Sequence, residues 1–269
     1  LNHVIYSEST NKLSAAGDYD VNFLKAMPNG EVWVGFWGKG LNHLSPTKKL
    51  TDYPFLPGRR EANFNCILPF QNQLLLGSVG LGVVSFNPQT KRYSIPFPEL
   101  GIKTFQNRSI SDLALIDGSQ LWIGTIGSGL YQYDLKSHQL NHLVKSADPQ
   151  SLSYNHVTQI FQDKKKRVWV LTNGGGVNLY LPENKEFRVL TVKDGLSSNT
   201  LRGVVEDGKG DLWFTTTNGI SKMDGKTLRF INFEDADGLQ GKEFTSKTFA
   251  SNKQNWLFFG GVNGLNYLK

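Results

Sequence analysis

The side chains able to do acid–base chemistry in this chain are few and far apart. Its histidines are His3, His43, His138, His142 and His156. A general acid and base pair could draw on His156 and Glu243, with Glu61 as a third candidate, which is thin support for catalysis. No His-Glu-x-x-His, Cys-x-x-Cys, Gly-x-Ser-x-Gly or phosphate loop occurs, and each of those spacings is what its chemistry demands. Cys66 is the single cysteine, so neither an internal disulfide framework nor a cysteine-based metal site is available. Asp235-Ala236-Asp237-Gly238 begins like a calcium loop, but Leu239 and Ser246 stand where ligand oxygens are required. The expectation is a chain with no catalytic residue, no metal ligand and no cofactor.

A second set of side chains suits binding. Trp37, Lys39, Arg59, Arg60, Arg108, His156, Asn173, Asn199, Lys242 and Asn263 combine cations, amides and an aromatic ring with few carboxylates nearby. Arg and Lys match carboxylate or sulfate groups, Asn matches hydroxyls, and Trp37 could stack on a sugar ring. These residues predict a small-molecule or glycan ligand, an oligosaccharide or a small anion. The blander reading is that the amides cap turns and the charges keep the surface wet.

What makes them a set is their place in a repeat. An apolar-Trp-apolar triplet, a small residue and a Gly-rich step recur as Val32-Trp33-Val34-Gly35, Leu121-Trp122-Ile123-Gly124, Val168-Trp169-Val170-Leu171 and Leu212-Trp213-Phe214-Thr215. Leu74-Leu75-Leu76-Gly77 and Leu257-Phe258-Phe259-Gly260 complete the series, with Leu75 and Phe258 in place of Trp. The anchor positions 33, 75, 122, 169, 213 and 258 are separated by 42, 47, 47, 44 and 45 residues. Periods of this size made of short apolar runs indicate a propeller of sheets. The third copy, for example, holds runs at 110–116, 121–125, 130–134 and 139–144. Helical repeats would need 3.6-residue periodicity over longer stretches.

A four-stranded sheet cannot cover both of its faces alone, so stacked neighbours account for the nearly continuous apolar triplets. After the last anchor only a third strand remains, and the missing fourth strand is matched by Leu1-Asn2-His3-Val4, which mirrors Leu140-Asn141-His142-Leu143. The predicted fold is all-β: a six-bladed β-propeller of four-stranded antiparallel blades over 1–269, one domain, with the N-terminal strand completing the last blade. Seven blades, or part of a double propeller, is the alternative. These binding residues fall in loops after each second strand and in the segments leading into each new blade. Lys164-Lys165-Lys166-Arg167 fills a hairpin turn and reads as solvated surface.

Composition agrees. Of 269 residues, 39% are hydrophobic, and the 28 glycines are spread at intervals, as many tight turns require. A net charge of +6 comes with no stacking platform or reader motif, so nucleic acid is not expected as a partner. No apolar stretch is long enough to span a bilayer, and any membrane attachment is expected through flanking segments only. The chain starts at Leu1, which reads as a mature protein or an excised domain.

Leu121-Trp122-Ile123-Gly124-Thr125-Ile126-Gly127-Ser128-Gly129-Leu130-Tyr131-Gln132-Tyr133-Asp134 resembles the repeat of the two-component regulator propeller family. Ser151-Leu152-Ser153-Tyr154-Asn155-His156-Val157 and Gly195-Leu196-Ser197-Ser198-Asn199-Thr200-Leu201 are similar to that family's links into each blade, and Phe259-Gly260-Gly261-Val262-Asn263-Gly264-Leu265 to its last blade. Leu75 in the second copy and one glycine fewer in the fifth depart from the pattern. The resemblance implies a periplasmic sensory segment of a bacterial inner-membrane protein, coupled elsewhere to a histidine kinase or diguanylate cyclase, with oligosaccharides as frequent ligands. A homodimer of the full-length receptor is compatible with it. The competing readings are a protein-interaction scaffold and a propeller lyase resembling the streptogramin-inactivating family.

Overall fold

The computed structural model describes residues 2–4, 20–47, 49–55, 62–252 and 254–269. Strand β1 (Asn2–Val4) is followed by β2 (Val21–Ala26), β3 (Val32–Phe36), β4 (Gly40–Leu44) and β5 (Leu50–Tyr53), and the last four form the first sheet. The second sheet holds β6 (Phe64–Phe70), β7 (Gln73–Ser78), β8 (Val83–Asn87) and β9 (Arg92–Ser94). The third holds β10 (Ile110–Ile116), β11 (Gln120–Thr125), β12 (Leu130–Asp134) and β13 (Leu140–Leu143). The fourth holds β14 (Val157–Gln162), β15 (Val168–Thr172), β16 (Val177–Leu181) and β17 (Glu186–Leu190), and the fifth β18 (Leu201–Glu206), β19 (Leu212–Thr216), β20 (Ile220–Met223) and β21 (Phe230–Phe233). In the sixth, β22 (Phe244–Ser251), β23 (Leu257–Gly261) and β24 (Gly264–Leu268) are joined by β1, with Asn2 opposite Tyr267 and Val4 opposite Leu265. The fold is an all-β six-bladed β-propeller, and its N-terminal strand completes the last blade as the sequence predicts.

Two compact units are distinguished by their internal packing. In the unit formed by Thr10–Ile126 and Tyr133–Leu140, Trp33, Leu41, Phe64, Leu76 and Phe86 make one cluster between the first two sheets. The Tyr93 hydroxyl ties these sheets by donating to the Tyr53 carbonyl at 2.5 Å. In the unit formed by Leu1–Ser9, Gly127–Gln132 and Asn141–Lys269, Trp169, Leu179, Leu201 and Phe214 pack the fourth sheet on the fifth, and Trp213, Phe244 and Phe259 pack the fifth on the sixth. A fully buried side chain such as Phe214 contributes about 2 to 3 kcal/mol. Trp122 and Trp169 are buried completely or nearly so, which is the packing role their spacing predicts.

The glycine that follows the anchor step is sterically required in the fourth and fifth blades. Gly176 and Gly219 have φ of 81° and 85°, and a Cβ on either would strike the carbonyl oxygen of Leu190 or Phe233 in the fourth strand of the same blade.

Three local features depart from the sequence reading. A helical insertion, α1 (Ile102–Phe105) preceded by a short turn at Pro98–Leu100, stands between the second and third sheets and buries Leu100 and Phe105. It accounts for one of the longer intervals. The lysine-rich hairpin is also not simply solvated: Lys164 Nζ donates to the Asp207 carbonyl at 2.9 Å and Lys165 Nζ to the Gly225 carbonyl at 2.7 Å, tying the fourth sheet to the fifth. Finally, the links into the blades are pinned from the third strand. Asn178 Oδ1 accepts from Ser153 N–H (2.9 Å), Ser221 Oγ from Ser197 N–H (3.0 Å) and Asn266 Oδ1 from Gln240 N–H (3.0 Å).

Candidate functional site

The blade architecture brings two residues together at one end of every sheet. The backbone N–H just after the second strand donates to the carbonyl of the residue just before the first. In the unit containing the fourth to sixth sheets these bonds run from Asn173 to His156 (2.9 Å), Thr217 to Thr200 (3.3 Å) and Val262 to Glu243 (3.3 Å). In the other unit they run from Trp37 to Asp20 (2.9 Å), Val79 to Asn63 (3.0 Å) and Ile126 to Ser109 (2.8 Å). Main-chain groups thus hold this end of each blade.

A β-bulge follows at the second residue of the first strand. The pairing register slips between Val21 and Phe23, Phe64 and Cys66, Ile110 and Asp112, Val157 and Gln159, and Leu201 and Gly203. The extra residues are Asn22, Asn65, Ser111, Thr158 and Arg202, all polar within apolar runs. Bulges re-aim side chains out of the regular alternation. Asn22 Nδ2 donates to the Phe64 carbonyl at 3.0 Å and Asn65 Nδ2 to the Ile110 carbonyl at 2.9 Å, each stapling one blade to the next. Thr158 is too short for such a span, and its buried Oγ1 has no hydrogen-bond partner.

Arg202 uses this position differently. Its guanidinium lies 3.7 Å from Glu243, and it acts electrostatically on His156, whose Nδ1 is 3.2 Å from the amide nitrogen of Asn173. Partial burial, reinforced by the positive charge of Arg202, holds the His156 imidazole below its ordinary value of 6.5. The ring is therefore neutral at pH 7. With the Asn173 amide donating to Nδ1, the proton sits on Nε2. His156 and Asn173 from the fourth blade, Arg202 from the fifth and Glu243 leading into the sixth form one polar cluster in this unit. It can donate from Arg202, His156 Nε2 and the Asn173 amide, which suits an anionic or hydroxylated ligand.

The remaining predicted residues divide clearly. Lys242 and Asn263 are exposed, and the Asn263 N–H is held by Gln240 Oε1 at 2.6 Å. Asn199 is taken up by structure: Oδ1 accepts from Val192 N–H (2.9 Å), and its carbonyl accepts from Gly174 (3.1 Å) and Gly176 (2.9 Å). That is the turn-capping role weighed against binding. In the other unit Trp37 is 51% exposed, with half-buried Lys39 two residues on. The Arg108 guanidinium is occupied locally, donating to the Thr104 carbonyl at the end of α1. Arg59 and Arg60 lie outside the described residues. Arg202 was not among the predicted residues, and the signal that could have found it is a polar residue interrupting the same apolar strand in five repeats.

A cavity of about 560 Å³ lies elsewhere, in the unit holding the second sheet, lined by Pro69, Phe70, Leu75, Phe97, Leu115 and Leu135 among others. It sits against the hairpins at the opposite end of the strands, contains none of the predicted residues and has no charged lining residue. Among the described residues no group of three or more His, Cys, Asp or Glu is placed to hold a metal ion.

Comparison with known proteins fits this picture. Residues 151–174 match the family model described as Two component regulator propeller. The chain is 25% identical over 193 residues to Histidine kinase P4 of Formosa agariphila, covering 70% of this chain and 14% of that protein. It is similar in fold to the extracellular domain of the hybrid two component system BT3049 from B. thetaiotaomicron, with a TM-score of 0.78 and 20% identity over 91% of this chain and 33% of that one. The corresponding domain of BT4673 from B. thetaiotaomicron gives a TM-score of 0.61 and 20% identity over 94% of this chain and 38% of that one. The chain thus spans well under half the length of each of these proteins. The matched segment falls in the fourth repeat, which supplies His156 and Asn173, and there this six-bladed propeller is similar to the two-component regulator propeller family.

Proposed function

We propose that this chain is the ligand-sensing propeller of a bacterial membrane signalling protein, exposed on the periplasmic side, which passes its signal to a kinase or cyclase elsewhere in the same protein. The extracellular domains it resembles in fold, and its histidine kinase relative, support that reading. The ligand is an oligosaccharide or a small anion, and the module itself performs no catalysis. The observation that carries the ligand class is the grouping of Arg202, His156 and Asn173, two cation-capable groups and an amide at a blade end whose fold is secured by backbone bonds. A ligand specific to the folded state raises apparent stability by mass action. A thermal-shift screen with neutral and uronate-containing oligosaccharides and with simple anions should therefore give a positive shift, and Arg202→Ala together with Asn173→Ala should remove it. A screen without any shift, or one whose shift survives both changes, would refute the assignment.

A protein-interaction surface is the second reading, favoured by one observation. Trp37, Val79 and Ile126 occupy the equivalent turn of three successive blades and are 51%, 39% and 47% exposed. A homodimer of the full-length receptor belongs with this reading. Trp37→Ala would then weaken association and leave the thermal shift unchanged.

A further inference from the structure

The Arg202 cluster carries an inference about how the ligand is bound, and it rests on the anion reading given above. Three facts combine. The ion pair between Arg202 and Glu243 is long, 3.7 Å, and Glu243 is 56% exposed against 24% for Arg202, so the carboxylate is a weakly held and displaceable occupant. His156 is fixed through Nδ1 by Asn173, which leaves Nε2 as the ring nitrogen that carries the proton. Arg202 is the charge that acts on His156, and Glu243 stands beside Arg202 at the start of the next blade.

We propose that an anionic group of the ligand seats between Arg202 and Nε2 of His156 in place of Glu243, and that its binding takes up one proton from solvent onto His156. Before binding, burial first and the positive guanidinium second oppose a positive charge on the imidazole. An anion in that place cancels the guanidinium's opposition and accepts a hydrogen bond from the protonated ring. Free energies of the two events are linked: whatever the anion does to favour protonation, protonation does to favour the anion. Affinity therefore rises as pH falls, by up to about tenfold per pH unit in the window between the free and bound titration midpoints. The site thus favours carboxylate or sulfate ligands over neutral sugars, and favours them more strongly in acid.

The test is a histidine titration followed by NMR on the isotope-labelled chain, with the His156 signal assigned from its loss in His156→Gln. Glucuronate and inorganic sulfate are the probes, and glucose is the neutral control. The expected result is an upward move of the His156 midpoint with either anion and none with glucose. His156→Gln, which removes one side of the seat, should bind either anion several-fold more weakly and without the steep pH dependence, and Glu243→Gln should bind glucuronate several-fold more tightly because the resident carboxylate is gone. Binding with an unmoved midpoint would overturn the proton-uptake proposal and leave the anion site standing. No binding of either anion by the unmodified protein would overturn both. Tightening in Glu243→Gln does not depend on a destabilising variant, so the displacement step remains testable even if Arg202→Ala fails to fold.

Discussion

Trp169 Nε1–H donates to Asp163 Oδ2 at 3.0 Å, and the same carboxylate oxygen accepts from Arg167 Nε at 2.6 Å. The second oxygen of Asp163 caps the hairpin by accepting from the Arg167 N–H at 2.9 Å. Asp207 and Trp213 repeat the arrangement in the next blade at 3.0 Å. A single buried carboxylate thus anchors both the packing tryptophan and the turn that leads to it. Asp163→Ala leaves two donors unpaired and a guanidinium uncompensated, and should cost about 3 kcal/mol. Urea denaturation measures this. A loss below about 1 kcal/mol would show that the tryptophan is held by packing alone.

The bulge residues give an opposed pair of predictions. Asn65→Ala removes the bond to the Ile110 carbonyl and should lower stability by about 1 to 2 kcal/mol. Thr158 occupies the equivalent position with an unpartnered buried hydroxyl, so Thr158→Asn, which is long enough to reach the next blade, should raise stability by about 1 kcal/mol. Calorimetric melting of both variants decides: shifts of the same sign would show that the staple is not what this position supplies.

Tyr133 is expected to titrate late. Its hydroxyl lies 3.0 Å from Glu99 Oε2 and 2.7 Å from His138 Nδ1. Burial, then the hydrogen bond and charge of Glu99, push it from 10.0 to about 12. Between those values the unfolded chain has released its proton and the folded one has not, so the stability supplied below pH 10.0 is lost as pH rises towards 12. Ultraviolet phenolate absorbance should show an ionisation step near pH 12, and Tyr133→Phe should remove that step.

Acid acts through His156 in the opposite direction. Its imidazole is held below 6.5 in the fold, so as pH falls through 6.5 the unfolded chain takes up a proton that the folded one refuses. Stability contributed by the neutral ring is full above that value and declines below it until the folded value is passed. His156→Gln should flatten this part of the stability profile in chemical denaturation at a series of pH values. An unchanged slope would mean that the ring is freely protonated in the fold.

The propeller was legible because its physics is periodic. Trp33, Trp122, Trp169 and Trp213 recur at one period and are buried where the spacing puts them, and the match between the segments around His3 and His142 foretold the β1 to β24 pairing. The site was legible only in part, because hydrogen bonding consumes some polar side chains and leaves others free. Asn199 and Arg108 look like ligand groups by type, yet one caps a loop and the other closes on Thr104. Arg202 was hidden because a bulge, which has no strong local signature, turns it out of the strand pattern. The insertion around α1 escaped because four helical residues are too few to show periodicity.

The pairing of Asn2 with Tyr267 also has a consequence for biosynthesis. The sixth sheet joins segments from the two extremes of the sequence, so it cannot be completed on the ribosome until Leu268 has emerged. Such distant pairing is slow to form, and until it does β24 exposes an unpaired edge on which another chain can dock. This seam is where misassembly between nascent copies would begin.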